Sequence, residues 1–241
     1  MKNSVVKIIA ILFITTIFSS CAIDMFNRVN GNRNVITQKR KTSNTFTGIK
    51  VSTGIDLYIN QGSKNKVTVE ADENLHDIII TEVEDGILKV YTEKNIWKAK
   101  ARKVYVTIED LTSLRATSGS DVYGKGIIKS DKISITATSG ANIEITLDAN
   151  NVETTSTSGS DIKVTGKAIN HNSIATSGSS IDAYSLESKN AIAKATSGAD
   201  INIYASDKID VKATSGGDID FKGNPKSVNK KSTSGGSISA K

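Results

Sequence analysis

Residues 116–122 read Ala-Thr-Ser-Gly-Ser-Asp-Val, and the Thr-Ser-Gly tripeptide within them returns six more times along the chain. The copies begin at Thr117, Thr138, Thr157, Thr176, Thr196, Thr214 and Thr233. Successive copies are 18 to 21 residues apart. A near-constant period of this length is typical of a solenoid, in which each repeat forms one coil that stacks on its neighbours.

The register of the repeat predicts which side chains face the interior. Five positions after each threonine lies a β-branched aliphatic residue: Val122, Ile143, Ile162, Ile181, Ile201, Ile219 and Ile238. The positions one before and three after the threonine hold only small residues. Because equivalent residues of stacked coils lie about 4.8 Å apart, each position becomes a file of like side chains. We expect the isoleucine file to form the core and the glycine to allow a corner.

A short polar side chain follows four positions after each threonine, and its parity with the isoleucine points it outward. The file comprises Asp121, Asn142, Asp161, Ser180, Asp200, Asp218 and Ser237. Such residues commonly bond backbone amides at turns, so we interpret the file as turn-capping. Calcium needs about six to eight oxygen ligands, and one short side chain per coil does not supply them. No metal or other cofactor is expected.

The front part of the domain, residues 46–115, is less regular than residues 116–241. Ser52-Thr53-Gly54 is an imperfect eighth copy of the motif and predicts a first rung. Asp85-Gly86 separates two apolar runs and predicts a β-hairpin, since both residues tolerate positive φ. The expected fold is therefore an all-β solenoid of about seven or eight coils with a β-hairpin insertion near its N-terminus.

The N-terminus has the pattern of an export signal. Lys2 and Lys7 precede an apolar run that ends at Phe18, and two serines then lead to Cys21. Small residues before a cysteine are typical of a bacterial lipobox, so residues 1–20 are predicted to be a lipoprotein signal peptide and Cys21 the lipidated residue. An ordinary signal peptide is the alternative. Cys21 is the only cysteine, which excludes an intramolecular disulfide bond.

Residues 21–45 are rich in polar and basic residues without apolar periodicity, which favours a flexible tether between lipid and domain. Without residues 1–20 the chain has 29 basic and 25 acidic side chains. Residues 116–241 are close to neutral, with 14 lysines and 13 acids, so the excess lies toward the front. The density of basic side chains is too low for a nucleic-acid-binding surface, and no nucleic-acid partner is expected.

Residues 46–241 resemble one known family. The sequence carries Ile55-Asp56-Leu57-Tyr58-Ile59, Lys66-Val67-Thr68-Val69-Glu70, Asp85-Gly86-Ile87-Leu88-Lys89-Val90, Val104-Tyr105-Val106-Thr107-Ile108 and then the Thr-Ser-Gly coils, in that order. This is similar to the auto-transporter adhesin head GIN domain family, which is common among lipoproteins of Bacteroidetes. The resemblance implies a right-handed parallel β-helix and an adhesive role. It provides no catalytic residues to carry over.

The segment from residue 93 to residue 103 interrupts the pattern and places the only tryptophan among cations. Trp97, Lys98 and Arg102 are therefore candidate binding residues for a sugar or an anion, since an indole face and basic side chains suit both. The alternative is a solvated hairpin with Trp97 folded onto the first rungs. The polar file adds five further candidates: Asp121, Asn142, Asp161, Asp200 and Asp218.

Enzymatic activity is not predicted. A polysaccharide-cleaving site needs two carboxylates at a controlled separation, and it would break the regularity of the coils. His76 and His171 have no acid or nucleophile partner in the pattern and are interpreted as surface residues.

We expect an adhesin-like or glycan- or protein-binding module, anchored to the outer membrane by an N-terminal lipid. Self-association through an exposed terminal rung, which is an open β edge, is the second hypothesis. A polysaccharide-active enzyme is the third.

Overall fold

The computed structural model describes residues 28–42 and 45–241, so the predicted signal peptide and Cys21 lie outside the described residues. Nineteen strands follow one another within these residues: β1 Arg28–Asn30, β2 Val35–Arg40, β3 Gly48–Val51, β4 Asp56–Gln61, β5 Lys66–Asp72, β6 Ile79–Glu84, β7 Ile87–Thr92, β8 Asn95–Lys98, β9 Arg102–Ile108, β10 Ser113–Ala116, β11 Asp121–Thr138, β12 Asn142–Thr157, β13 Asp161–Thr176, β14 Ser180–Thr196, β15 Asp200–Tyr204, β16 Lys208–Thr214, β17 Asp218–Lys222, β18 Ser227–Thr233 and β19 Ser237–Ala240. A short 3-10 turn covers Glu73–Leu75. Nothing helical in the described part is long and apolar enough to cross a membrane.

The regular coils stack in parallel with the register that the repeat predicts. Each of the long strands β11 to β14 runs through nearly one whole coil, from one Thr-Ser-Gly corner to the next, and pairs along its length with its neighbours. Asp121 pairs with Asn142, and Asn142 with Asp161, so equivalent positions of the repeat lie over one another. The predicted all-β parallel β-helix is confirmed.

The interior consists of the files predicted to face inward. The aliphatic file from Val122 to Ile219 is buried, and Ile238 in the last rung is partly buried. The small residue before each threonine is also buried from Ala116 to Ala213. Each fully buried aliphatic side chain contributes roughly 1.5–3 kcal/mol, so repetition of one position supplies much of the hydrophobic stabilisation.

The corner of each coil needs two residues in the left-handed region. Glycine of the tripeptide has φ between 66° and 76°, and the serine before it has φ between 51° and 59°. This is the backbone pattern of a type I′ turn, so glycine alone does not make the corner. The amide of Gly178 donates to the carbonyl oxygen of Ser197 in the next coil at 3.1 Å, and equivalent bonds of 3.0 to 3.2 Å link all the corners from Gly54 onward.

The front rungs are stacked out of chain order. β3 and β4 form the predicted first rung, because Thr53 and Gly54 are left-handed and Leu57 pairs with Val122. β7 and β9 then pair in parallel with the other side of β3 and β4. The chain therefore adds an outer rung before it returns through β10 to the inner side. The predicted hairpin is β6–β7, which turns at Asp85 and Gly86.

Antiparallel strands cover the N-terminal end of the solenoid. β5 pairs with β9, and β2 pairs with β5 over six residues from Val35 to Arg40. The tether predicted for residues 21–45 is therefore wrong for this segment. None of its side chains is fully buried, so the segment needs no apolar periodicity. Backbone pairing to the free edge of β5 holds it instead.

The last rung has a charge on its inner side. β18 and β19 pair with β16 and β17, and no described strand pairs with their other edges. In this register Lys230 continues the file of the buried Val211, and Ser232 continues that of Ala213. The Lys230 ammonium lies 4.5 Å from the centre of the Phe221 ring. Inward-pointing charges of this kind discourage edge-to-edge pairing, which opposes the stacking of copies at this rung.

We expect the double variant Lys230→Val, Ser232→Ala to self-associate with rising concentration, because it replaces the charged edge by the apolar file of the preceding coil. Sedimentation velocity over a concentration series measures this. The matched control is Lys231→Val, whose side chain belongs to the outward file of Lys212. If the double variant sediments as the parent protein does at every concentration, Lys230 does not protect the edge.

Candidate binding surface

Three tyrosines form an exposed file across the first three rungs. Tyr105 on β9, Tyr58 on β4 and Tyr123 on β11 occupy equivalent positions in register. The Tyr58 ring lies 5.1 Å from the Tyr105 ring and 5.2 Å from the Tyr123 ring, with interplanar angles of 17° and 23°. Tyr105 and Tyr123 are 37% and 36% exposed. Three stacked rings present their edges and hydroxyls to solvent as one aromatic strip.

Carboxylates lie beside this strip. Asp56 and Asp121 pair in register in the adjacent file. Burial raises the pKa of Asp56, and the charge of Asp121 raises it further, against the opposing effect of Arg102. We call Tyr58, Tyr105, Tyr123, Asp56 and Asp121 the tyrosine patch.

Two tyrosines of the patch, Tyr105 and Tyr123, are held in the protonated form that donates hydrogen bonds. Burial raises the pKa of Tyr105 and Tyr123, and neighbouring carboxylates add to the effect. The Tyr105 hydroxyl donates to Glu70 Oε2 at 3.3 Å. In the described part of the chain the hydroxyls of Tyr58 and Tyr123 have no protein partner, so they are free to bond a ligand. The sequence contained a signal for this file, because each tyrosine directly follows an inward aliphatic residue, as in Leu57-Tyr58 and Val122-Tyr123.

The polar file extends from the patch along the solenoid. Asp121, Asn142, Asp161, Asp200 and Asp218 lie in one file with Ser180 between them, and all but Asp121 and Ser180 are exposed. Asn142 Nδ2 donates to Asp121 Oδ1 at 2.7 Å. The arrangement places the five candidate residues on one surface, at one per coil.

In two coils the corner is capped by a different residue from the one we expected. The hydroxyl of Ser160, three positions after its threonine, accepts the Thr157 amide at 3.1 Å and lies 2.8 Å from the Ala137 carbonyl oxygen. Ser179 repeats this arrangement one coil later. Within the described residues, Asp161, Asp200 and Asp218 bond no backbone amide through their side chains. The interpretation of the outward file as turn-capping is therefore wrong, because the buried serine is closer to the corner.

The other three candidate residues lie in two places. Trp97 and Lys98 are on β8, which pairs in parallel with β1 in a separate two-stranded ribbon. Trp97 is 56% exposed and contacts Arg28 rather than the first rungs. Arg102 begins β9 and lines a groove of about 460 Å³ together with Thr53, Gly54, Thr92, Glu93, Lys94, Asn95, Ile96 and Ser118. Only Arg102 therefore lies beside the tyrosine patch, next to Asp56.

Both histidines are buried, so their interpretation as surface residues is wrong. His76 Nε2 lies 3.2 Å from the carbonyl oxygens of Ile36 and Ala71, where it joins β2 to β5. His171 follows Val152 in an inward file, and its Nε2 lies 2.9 Å from the Thr154 hydroxyl. Burial lowers the pKa of His171 to about 4. Both rings are packed inside the fold and away from solvent, where no substrate reaches them.

No group of three or more His, Cys, Asp or Glu is placed to share a metal ion in residues 28–42 and 45–241. One carboxylate there is fully buried: Asp72 accepts hydrogen bonds from the backbone N–H groups of Arg33, Lys100 and Ala101. Burial raises its pKa, but these three hydrogen bonds outweigh that effect and lower it. Asp72 is thus an ionised residue that organises loops.

A family model described as "Putative auto-transporter adhesin, head GIN domain" matches residues 45–225. The chain belongs to this family. Membership indicates an adhesin-like protein of the cell envelope or surface and confirms the resemblance seen in the sequence. A search of curated proteins gives no match.

Solved structures from Bacteroidetes share the fold. A crystal structure of a putative adhesin from Bacteroides fragilis has a TM-score of 0.82 and 21% identity, and the alignment covers 88% of this chain and 100% of that one. A putative lipid binding protein from Parabacteroides distasonis has a TM-score of 0.70 and 21% identity over 89% and 99% of the two chains. A putative adhesin from the same species has a TM-score of 0.73 and 20% identity over 89% and 100%.

The burial of His171 predicts acid sensitivity. The ordinary pKa of 6.5 applies to the unfolded chain, whereas the folded value is about 4. Between these values the unfolded chain binds a proton that the folded chain does not, so stability falls as pH falls. From pH 7 to pH 4.5 this costs about 2–3 kcal/mol. Urea denaturation of the parent and of His171→Val at both pH values measures it. The same pH dependence in both proteins would show that His171 is not responsible.

Proposed function

We propose that this protein is a non-catalytic, adhesin-like module that binds a glycan along the face carrying the tyrosine patch. The observation that carries the proposal is the exposed strip of three stacked tyrosines beside Asp56 and Asp121. Tyrosine combines a large apolar area with a polar tip, which suits binding surfaces. Family membership supports the adhesin-like role.

The chemistry of the patch matches the polyhydroxyl surface of a sugar. Free phenol hydroxyls of Tyr58 and Tyr123 donate hydrogen bonds, and the carboxylates of Asp56 and Asp121 accept them. The ring edges contact apolar C–H groups. Lys125, whose ammonium lies 5.0 Å from the Tyr58 ring centre, and Arg102 add basic groups at the rim. A sugar therefore meets aromatic, donor and acceptor groups within three rungs.

The polar file provides further contacts for a long ligand. Asn142, Asp161, Asp200 and Asp218 repeat at about 4.8 Å per rung along the axis, beginning next to Asp121. A linear polymer that binds the patch would lie along this file. Each exposed carboxylate or amide adds a weak contact. Most of the binding free energy therefore comes from the patch, and the file adds smaller contributions for long ligands.

For location, we propose a lipid anchor at Cys21 in the outer membrane, after removal of residues 1–20. The supporting observation is the placement of the only cysteine directly after an apolar run that ends in small residues. Labelling of cells with radioactive palmitate should mark the protein and should not mark Cys21→Ser. Equal labelling of the two proteins would exclude Cys21 as the anchor.

We expect Tyr58→Ser, Tyr123→Ser to weaken glycan binding at least about tenfold, because central interface aromatics commonly contribute more than 1 kcal/mol each. A glycan array with the unlipidated protein identifies a ligand, and calorimetry measures its affinity. The matched control is Tyr184→Ser, Tyr204→Ser in coils farther along the solenoid. Binding to no glycan, or equal losses in the two double variants, would contradict the patch as the site.

The triple variant Asp161→Asn, Asp200→Asn, Asp218→Asn tests the polar file in the same assay. We expect it to weaken binding of long oligosaccharides more than that of short ones, because only long ligands reach these coils. Unchanged affinity for every length would limit the site to the tyrosine patch.

A further inference from the structure

We propose that the N-terminal end of the solenoid docks directly on a membrane surface that contains anionic phospholipid. The docking surface comprises the exposed side chains of Arg28, Arg33, Trp97, Lys98 and Lys100, which we call the basic end surface. It is separate from the tyrosine patch, and its occupant is the layer of lipid headgroups.

The β1–β8 ribbon presents the tryptophan outward. Arg28 and Asn95 begin the parallel pairing, and the Gly31 amide donates to the Lys98 carbonyl oxygen at 2.7 Å. The Arg28 guanidinium carbon lies 4.2 Å from the centre of the Trp97 ring. Although it contacts arginine, Trp97 is 56% exposed. Tryptophan is enriched where membranes meet water because its ring is amphipathic.

A buried carboxylate fixes the backbone of the loops that carry these cations. Asp72 accepts the amides of Arg33 at 3.0 Å, Lys100 at 3.1 Å and Ala101 at 3.0 Å. These bonds fix two loops whose residues Gly31, Arg33, Lys98, Ala99 and Lys100 line a pocket of about 210 Å³. Asp72 is satisfied by the backbone, and in the described residues the side chains of Arg33, Lys98 and Lys100 bond no protein group. Three free cations around a pocket suit a phosphate group.

Chain length favours a membrane over a soluble polyanion. Arg28 lies seven residues after Cys21, and seven residues span at most about 25 Å. With the lipid anchor proposed above, the basic end surface stays within that distance of the bilayer. Residues 35–40 are paired in β2, so they do not lengthen the link between Cys21 and the domain. The opposite end of the solenoid lies roughly 40 Å away at about 4.8 Å per rung.

Trp97 is the only tryptophan of the chain, so its fluorescence reports directly on this surface. The experiment uses residues 21–241 carrying Cys21→Ser, which lack the lipid, and vesicles of phosphatidylethanolamine with phosphatidylglycerol. We expect Trp97 emission to shift to shorter wavelength with vesicles, and the shift to weaken with salt. Arg33→Gln, Lys98→Gln, Lys100→Gln should lower the partition coefficient roughly 100-fold, since each cation near an anionic surface contributes about fivefold.

The matched control removes the same charge at the far end. Lys194→Gln, Lys212→Gln, Lys231→Gln changes three lysines that stack in one outward file, and it should leave the partition coefficient within about threefold. Equal losses in the two triple variants would overturn the proposal in favour of general electrostatic attraction. So would the absence of a Trp97 shift, or a full shift with inorganic phosphate alone. Tyr58→Ser, Tyr123→Ser should bind vesicles as the parent does, which separates this test from that of the glycan site.

Discussion

Backbone hydrogen bonds between successive coils hold equivalent residues of the repeat about 4.8 Å apart, so any position of the repeat becomes a continuous file. A residue in such a file must suit its two neighbours as well as its own coil. The inward files are therefore mostly aliphatic or small, and the corners keep Ser-Gly in every regular coil. The corner bonds from each glycine amide to the next serine carbonyl oxygen maintain this register through the turns.

The same constraint explains how much of the fold was predictable. The coils, the isoleucine core and the first rung at Thr53 were predictable from spacing, because a nearly constant period of 18 to 21 residues links each regular coil to the next along the chain. The outer rung of β7 and β9 was not predictable in this way, since it stacks out of chain order. β2 was missed because an edge strand held by backbone pairing needs no apolar pattern.

Side-chain environment was harder to predict than backbone position. His171 occupies an inward file among apolar residues, although its polar side chain led to the prediction of a surface position. Its neighbours Thr154 and Ser173 form a short buried hydrogen-bonded chain with its Nε2, while its Nδ1 has no hydrogen-bond partner among the described residues. The tyrosine file was missed for another reason. Its members come from three separate strands, and only the stacking of three rungs brings Tyr58, Tyr105 and Tyr123 together.

The two proposed surfaces lie near the same end of the molecule because that is where the repeat is interrupted. An insertion between β7 and β9 of the outer rung provides β8, which pairs with β1 from the N-terminal segment, and the same rung contributes Tyr105 to the patch. The regular coils beyond them have another effect. In a solenoid each coil contacts mainly its neighbours, so added coils lengthen the polar file without altering the patch. The length of the polar file that contacts a ligand and the surface proposed to dock on the membrane can therefore change independently.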